Sequence, residues 1–142
     1  MHYHAYQWNG GTAQLERADG VRRPPLAPSD PAPFIGSPLP PFRLCDWLLK
    51  PRTRIEQTFA GAEAALEWLA TRYAEVMPSF HLPDQETRIG EDARLGNATY
   101  DLNGGVDVCW GFYLRGERYV HIAMVCCPNR HAPGYPCPSG GR

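Results

Sequence analysis

The sequence predicts an α+β fold: a single, mostly antiparallel sheet with two helices packed on one face and an extended proline-rich strap. Three observations lead there. Residues 106–126 read as a hairpin of β-branched and aromatic residues, residues 61–77 repeat apolar positions at three- and four-residue spacing, and eight prolines fall between Pro24 and Pro41. The first two patterns match the periods of strand and helix, and the third excludes both a helix and a central strand.

From the amino terminus, residues 3–8 form an aromatic-rich run followed by Asn9-Gly10-Gly11 and a second run over residues 12–17, which predicts a β-hairpin. Alternation along that first strand puts His2, His4, Tyr6 and Trp8 on one face. The strap follows over residues 24–41, and its apolar Leu26, Phe34, Ile35 and Leu39 favour packing over a role as a simple spacer. Residues 42–49 are a short apolar run that belongs to the core as strand or helical turn, and alternation over residues 53–59 predicts a strand.

The clearest element is the amphipathic helix over residues 61–77, with Ala62, Ala65, Leu66, Leu69, Ala70, Tyr73 and Val76 on one stripe and Pro78 as its stop. Trp68 lies off that stripe. A short strand is expected over residues 87–89 and a second helix over 91–102, with Asn103-Gly104-Gly105 as its end. The long hairpin then turns at Arg115-Gly116-Glu117, and residues 128–142 form an irregular Pro-, Gly- and Ser-rich tail. The order is ββ, strap, β, α, β, α, ββ, without repeat or composition break, so residues 1–142 are expected as one domain.

Fourteen basic against fifteen acidic side chains give a formal charge of −1, which disfavours generic nucleic-acid binding. No stretch approaches a membrane span, the start lacks the pattern of a secretory signal, and the expected compartment is the cytoplasm. Five cysteines, an odd number, are then expected to be mostly reduced. Lys50 is the only lysine, and the abundance of Arg, Ala, Gly and Pro points by codon bias to a bacterial, GC-rich source.

The best chemical lead is Cys126-Cys127-Pro128-Asn129-Arg130-His131 with Cys137, three thiols and an imidazole within twelve residues. These are ligand types that zinc favours. Adjacent cysteines on a strand point to opposite faces, so only one of Cys126 and Cys127 readily joins His131 and Cys137. Against a metal stands the absence of a C-x-x-C knuckle; a redox role or an occasional disulfide is the other chemical reading, and buried apolar thiols with a free tail thiol are the simpler one. His2 and His4 share a strand face and supply two ligands of another site that needs a third. His121, inside an apolar run, reads as a hydrogen-bonded core histidine. Motifs of hydrolases, nucleotide-binding proteins and metalloproteases are missing.

Two functions from different classes remain. The first is a small binding or accessory protein that contacts another protein through its proline-rich segment and aromatic side chains, with Trp8, Phe34, Trp47 and Trp68 as contact residues; a homo-oligomer is compatible with it. The second is a small enzyme or metal-binding protein with a Cys/His site, zinc being the metal, near the end of the carboxyl-terminal hairpin.

Overall fold

The computed structural model describes residues 1–140, without the side chain of Thr87; residues 141–142 of the expected tail lie outside the described residues. Strands β1 (His2–Gly11), β2 (Gln57–Phe59), β3 (Val108–Leu114) and β4 (Arg118–Cys127) form one antiparallel sheet in the order β2-β1-β4-β3. The helices are α1 (Thr12–Glu16), α2 (Ala32–Gly36), α3 (Ala62–Val76), α4 (Pro83–Ile89) and α5 (Glu91–Asn103). The α+β class is as the sequence predicts. No helix among the described residues is long and apolar enough to cross a membrane.

The two faces of the sheet carry separate apolar clusters, and the period-two alternation decides which residue joins which. On one face, Tyr3 and Ala5 of β1, Val120 to Cys126 at alternate positions of β4, and Val108, Trp110, Phe112 and Leu114 of β3 pack with Ala65, Trp68, Leu69 and Tyr73 of α3 and Ala98 and Leu102 of α5. Trp68 therefore widens the buried face of α3. On the other face, Tyr6, Ala123, Val125 and Cys127 pack with Trp47 and Leu48, from a 3₁₀ turn over Leu44–Leu49, and with Tyr135 and Cys137 of the tail.

Three predicted elements take other forms. The second strand expected over residues 12–17 is α1, because β1 pairs instead with β4, from His2↔Cys127 to Gly11↔Arg118. Thr12 N–H closes that end by donating to Glu117 O at 2.9 Å. The strand expected over residues 53–59 shortens to β2, since Pro51 opens a 3₁₀ turn over Arg52–Arg54 in which Arg54 N–H donates to Pro51 O at 2.9 Å. The strand expected over residues 87–89 is the end of α4, where Pro83 at the first turn and the acidic Asp84 and Glu86 suit a helix start. Glu86 is then held by Arg94 at 2.7 Å through both carboxylate oxygens and by Tyr73 Oη, also at 2.7 Å.

The long hairpin turns through Gly116 and Glu117, both at positive φ, the backbone that a tight two-strand turn demands. The proline segment also departs from the expected helix-free strap, because it contains α2. There Pro31 is the N-cap and Pro33 falls in the first turn, positions at which a missing N–H costs no helical bond. The last carbonyls of α2 are met by a buried cation. Lys50 Nζ donates to Phe34 O at 2.8 Å and Ser37 O at 2.7 Å, and only 2% of Lys50 is exposed. Burial, helped by the nearby Arg54 charge, pulls its pKa down to about 8. Farther along, Arg22 Nε donates to Pro40 O at 2.7 Å.

Candidate metal centre

The β1–β4 pairing sets His2 opposite Cys127. Alternation keeps His4, two residue pairs farther in and opposite Val125, on the same face as His2. Beyond Cys127 the tail turns back over this face, where Tyr135 Oη donates to buried Asp46 at 3.0 Å. That contact brings Cys137 over the strand ends. His2 Nε2 then lies 3.3 Å and His4 Nε2 3.5 Å from Cys137 Sγ. With Cys127 Sγ, these four ligand atoms all fall within 4.8 Å of one another.

Zinc bonds of ordinary length put tetrahedral N and S ligands about 3.4–3.8 Å apart, so the cluster is close to the required size before any metal enters. The donor set of two imidazoles and two thiols suits zinc. His4 is also oriented from behind, because its Nδ1 lies 2.8 Å from Thr58 Oγ1 on β2 and leaves Nε2 for the centre. Burial lowers the His4 pKa, against the pull of Cys137, and so favours the neutral ring that a metal needs.

The two thiols differ in charge. Burial acts to raise the Cys137 pKa, but hydrogen bonds from Ser139, His2 and His4 outweigh it and bring the pKa to about 5. Cys127 is pushed up to about 12 by burial and by the adjacent Cys137. The pair therefore holds one thiolate and one thiol at neutral pH. Beside them Tyr6 is fully buried, and its hydroxyl has no hydrogen-bond partner among the described residues. Its pKa is raised by burial and by the charges of Cys127 and Cys137. A cavity of about 240 Å³ opens onto the centre between Met1, His2, Cys127, Tyr135, Pro136 and Cys137.

Of the ligands expected from sequence, Cys127 and Cys137 are brought together, and Cys126 and His131 are not. Cys126 faces the helix-covered side, with its backbone N–H on Asp107 Oδ1 at 2.8 Å. His131 is exposed and borders a different pocket with Arg43, Cys45 and Asp107. The half-sites His2/His4 and Cys127/Cys137 merge because the first and last strands pair. Both alternations were readable in the sequence, whereas Thr58 gave no signal.

The aromatic contact residues lie inside the fold: Trp8 and Trp68 are 8% exposed, Phe34 2% and Trp47 1%. Their surface goes to the core because Trp47 stacks on Tyr6 at 4.6 Å, Phe34 receives the Lys50 ammonium at 4.1 Å over its ring, and Trp68 packs with α3 against the sheet. His121 is indeed a buried, hydrogen-bonded histidine. Cys109 Sγ lies 3.6 Å from its Nδ1.

No protein-family model, curated protein or solved structure matches this chain.

Proposed function

We propose that this chain is a zinc-binding protein in which His2, His4, Cys127 and Cys137 hold the metal and fasten the tail to the first and last strands. One observation carries the reading: four nitrogen and sulfur ligand atoms from three separate segments converge within 4.8 Å. Four protein ligands fill a tetrahedral shell, which is the arrangement of a structural rather than a hydrolytic zinc. The role of the metal is then to stabilise the fold, and the domain acts through its surface as a binding or accessory module.

That second half of the proposal rests on a patch other than the aromatic residues expected from sequence. Leu82, Ile89 and Tyr113 are 52%, 52% and 67% exposed around a groove of about 280 Å³ floored by Phe80 and Phe112. Apolar side chains gathered at one groove suit a protein partner.

Elemental analysis of protein prepared without a polyhistidine tag tests the metal. The expected content is one zinc per chain after exposure to zinc and desalting, falling below about a tenth in His4→Ala and Cys137→Ser. Wild-type protein that retains less than about a tenth of an equivalent overturns the reading.

A further inference from the structure

We propose that the same centre is a peroxide-sensitive thiol switch, in which Cys127 and Cys137 close into a disulfide and expel the metal. The switch rests on the zinc reading for its consequence, but the disulfide itself rests on the thiol geometry alone. Cys127 Sγ and Cys137 Sγ lie within 4.8 Å of each other. They need to close by less than about 3 Å to reach bonding distance.

The surroundings divide the labour between the two. Cys127 is fixed at the end of β4 and only 3% exposed, whereas Cys137 is partly exposed and sits in a tail of turns rather than in a helix or strand. The tail is thus the side that moves and the side an oxidant meets first. The cavity lined by Met1, Tyr135 and Pro136 leads to both sulfurs and is wide enough for a hydroperoxide. The remaining thiols sit in other surroundings. Cys126 faces the opposite side of the sheet, Cys45 is buried beside Asp46, and Cys109 lies by His121 on β3.

With hydrogen peroxide as oxidant the chemistry balances in two steps. The Cys137 thiolate sulfur attacks one peroxide oxygen, the O–O bond breaks, and hydroxide leaves and takes a proton to become water, giving a sulfenic acid. The Cys127 sulfur then attacks that sulfur and forms the S–S bond, and its thiol proton goes to the departing hydroxide, which leaves as water. One thiolate, one thiol and one further proton are consumed with one peroxide, and two waters form. A metal that held both sulfurs loses two of its four ligands in the process and leaves, and a dithiol reductant reverses the sequence.

The test is treatment of full-length protein with a small excess of hydrogen peroxide, read by unreduced peptide mapping and by a chromogenic zinc chelator. The expected map links the peptide ending at Arg130 to the one beginning at His131, with the loss of two hydrogen masses. Cys126→Ala keeps the link and Cys137→Ser abolishes it. One equivalent of zinc is expected to appear with the link and to rebind after dithiothreitol. Zinc that stays bound while the link forms, or Cys137 that proceeds to sulfinic acid without linking, overturns the switch. Should the protein hold no zinc at all, the map still decides the disulfide on metal-free protein, so the failure of one reading is visible apart from the other.

Discussion

The indole N–H of Trp47 donates to Nε2 of His121 at 3.1 Å, and this single bond fixes which nitrogen of a buried histidine carries its proton. An indole nitrogen can only donate. Nε2 must therefore be the bare nitrogen and Nδ1 the protonated one, directed at Cys109 Sγ at 3.6 Å. In that tautomer His121 has no lone pair to offer Cys109, so the pair is not a nucleophile with its base.

Burial, with the Arg22 charge adding to it, lowers the His121 pKa to about 4. The folded protein thus binds fewer protons at this site than the unfolded chain between about pH 6.5 and pH 4, and stability falls as pH drops through that window. The full effect is about 3 kcal/mol. Nitrogen chemical shifts of the imidazole are expected to report the Nδ1–H form and no titration above about pH 5. A His121 that titrates near 6.5 contradicts the buried hydrogen bond.

Lys50 offers a chemical readout of the proline segment because it is the only lysine in the chain. In folded protein an amine-directed acylating reagent is expected to spare Lys50, whose Nζ is enclosed by Phe34 O and Ser37 O, and to reach it only once the segment around α2 lifts away. Peptide mapping after brief labelling decides it, and rapid Lys50 modification in native buffer refutes it. The pKa has a consequence of its own. With a folded value of about 8 and an ordinary value of 10.5, the unfolded chain holds more of this proton between those limits, so the Lys50 contribution to stability rises with pH there. Lys50→Met removes that rise, and the difference between variant and wild type in urea melts at pH 7.5 and pH 10 measures it.

Zinc binding is expected to release about one proton at pH 7.5, because Cys137 is already a thiolate while Cys127, at about 12, is not. Titration calorimetry in buffers of different ionisation enthalpy gives the number. A zinc concentration of about 100 times Kd is expected to add about 2.7 kcal/mol, or several degrees in Tm for a chain of this length. Cys126→Ala and His131→Ala are expected to keep that gain, and His2→Ala to lose it. Retention of the gain in His2→Ala would show that the strand-end imidazoles are not ligands.

Trp110→Ala is expected to cost about 3–5 kcal/mol, since a large buried ring is removed from a close-packed site. Trp110 is 4% exposed and meets the edge of Tyr73 at 5.9 Å, which joins β3 to α3. A denaturant melt that moves by less than about 1 kcal/mol would place Trp110 outside the core.

The parts of the fold that were legible in the sequence are those with a long, unbroken period. The helix that spans Ala62–Val76 and the β3–β4 hairpin each carry enough repeats to exceed the noise of single residues. Short segments were misread for a specific reason. Asn9-Gly10-Gly11 looks like a local hairpin turn, but the partner of β1 lies more than a hundred residues away in β4, and no local pattern states a long-range pairing. The centre failed to appear for the same reason: His2 and His4 were visible as one half and Cys127 and Cys137 as the other, while the register joining them belongs to tertiary structure. Choosing Cys127 over Cys126 needed only alternation plus the knowledge of which face the helices cover.

The placement of β1 between β2 and β4 has a consequence for how the chain acquires its fold. β1 leaves the ribosome more than a hundred residues before β4, so along most of its length one edge of backbone donors and acceptors waits until the intervening chain has been made. Long loops of this kind slow folding because their closure entropy precedes any reward from contact. An unpaired edge that carries Tyr3, Tyr6 and Trp8 is also a place where nascent chains stick to one another. High-level expression is therefore expected to be limited by aggregation of incomplete chains, and a chain shortened before β4 has no route to a soluble sheet.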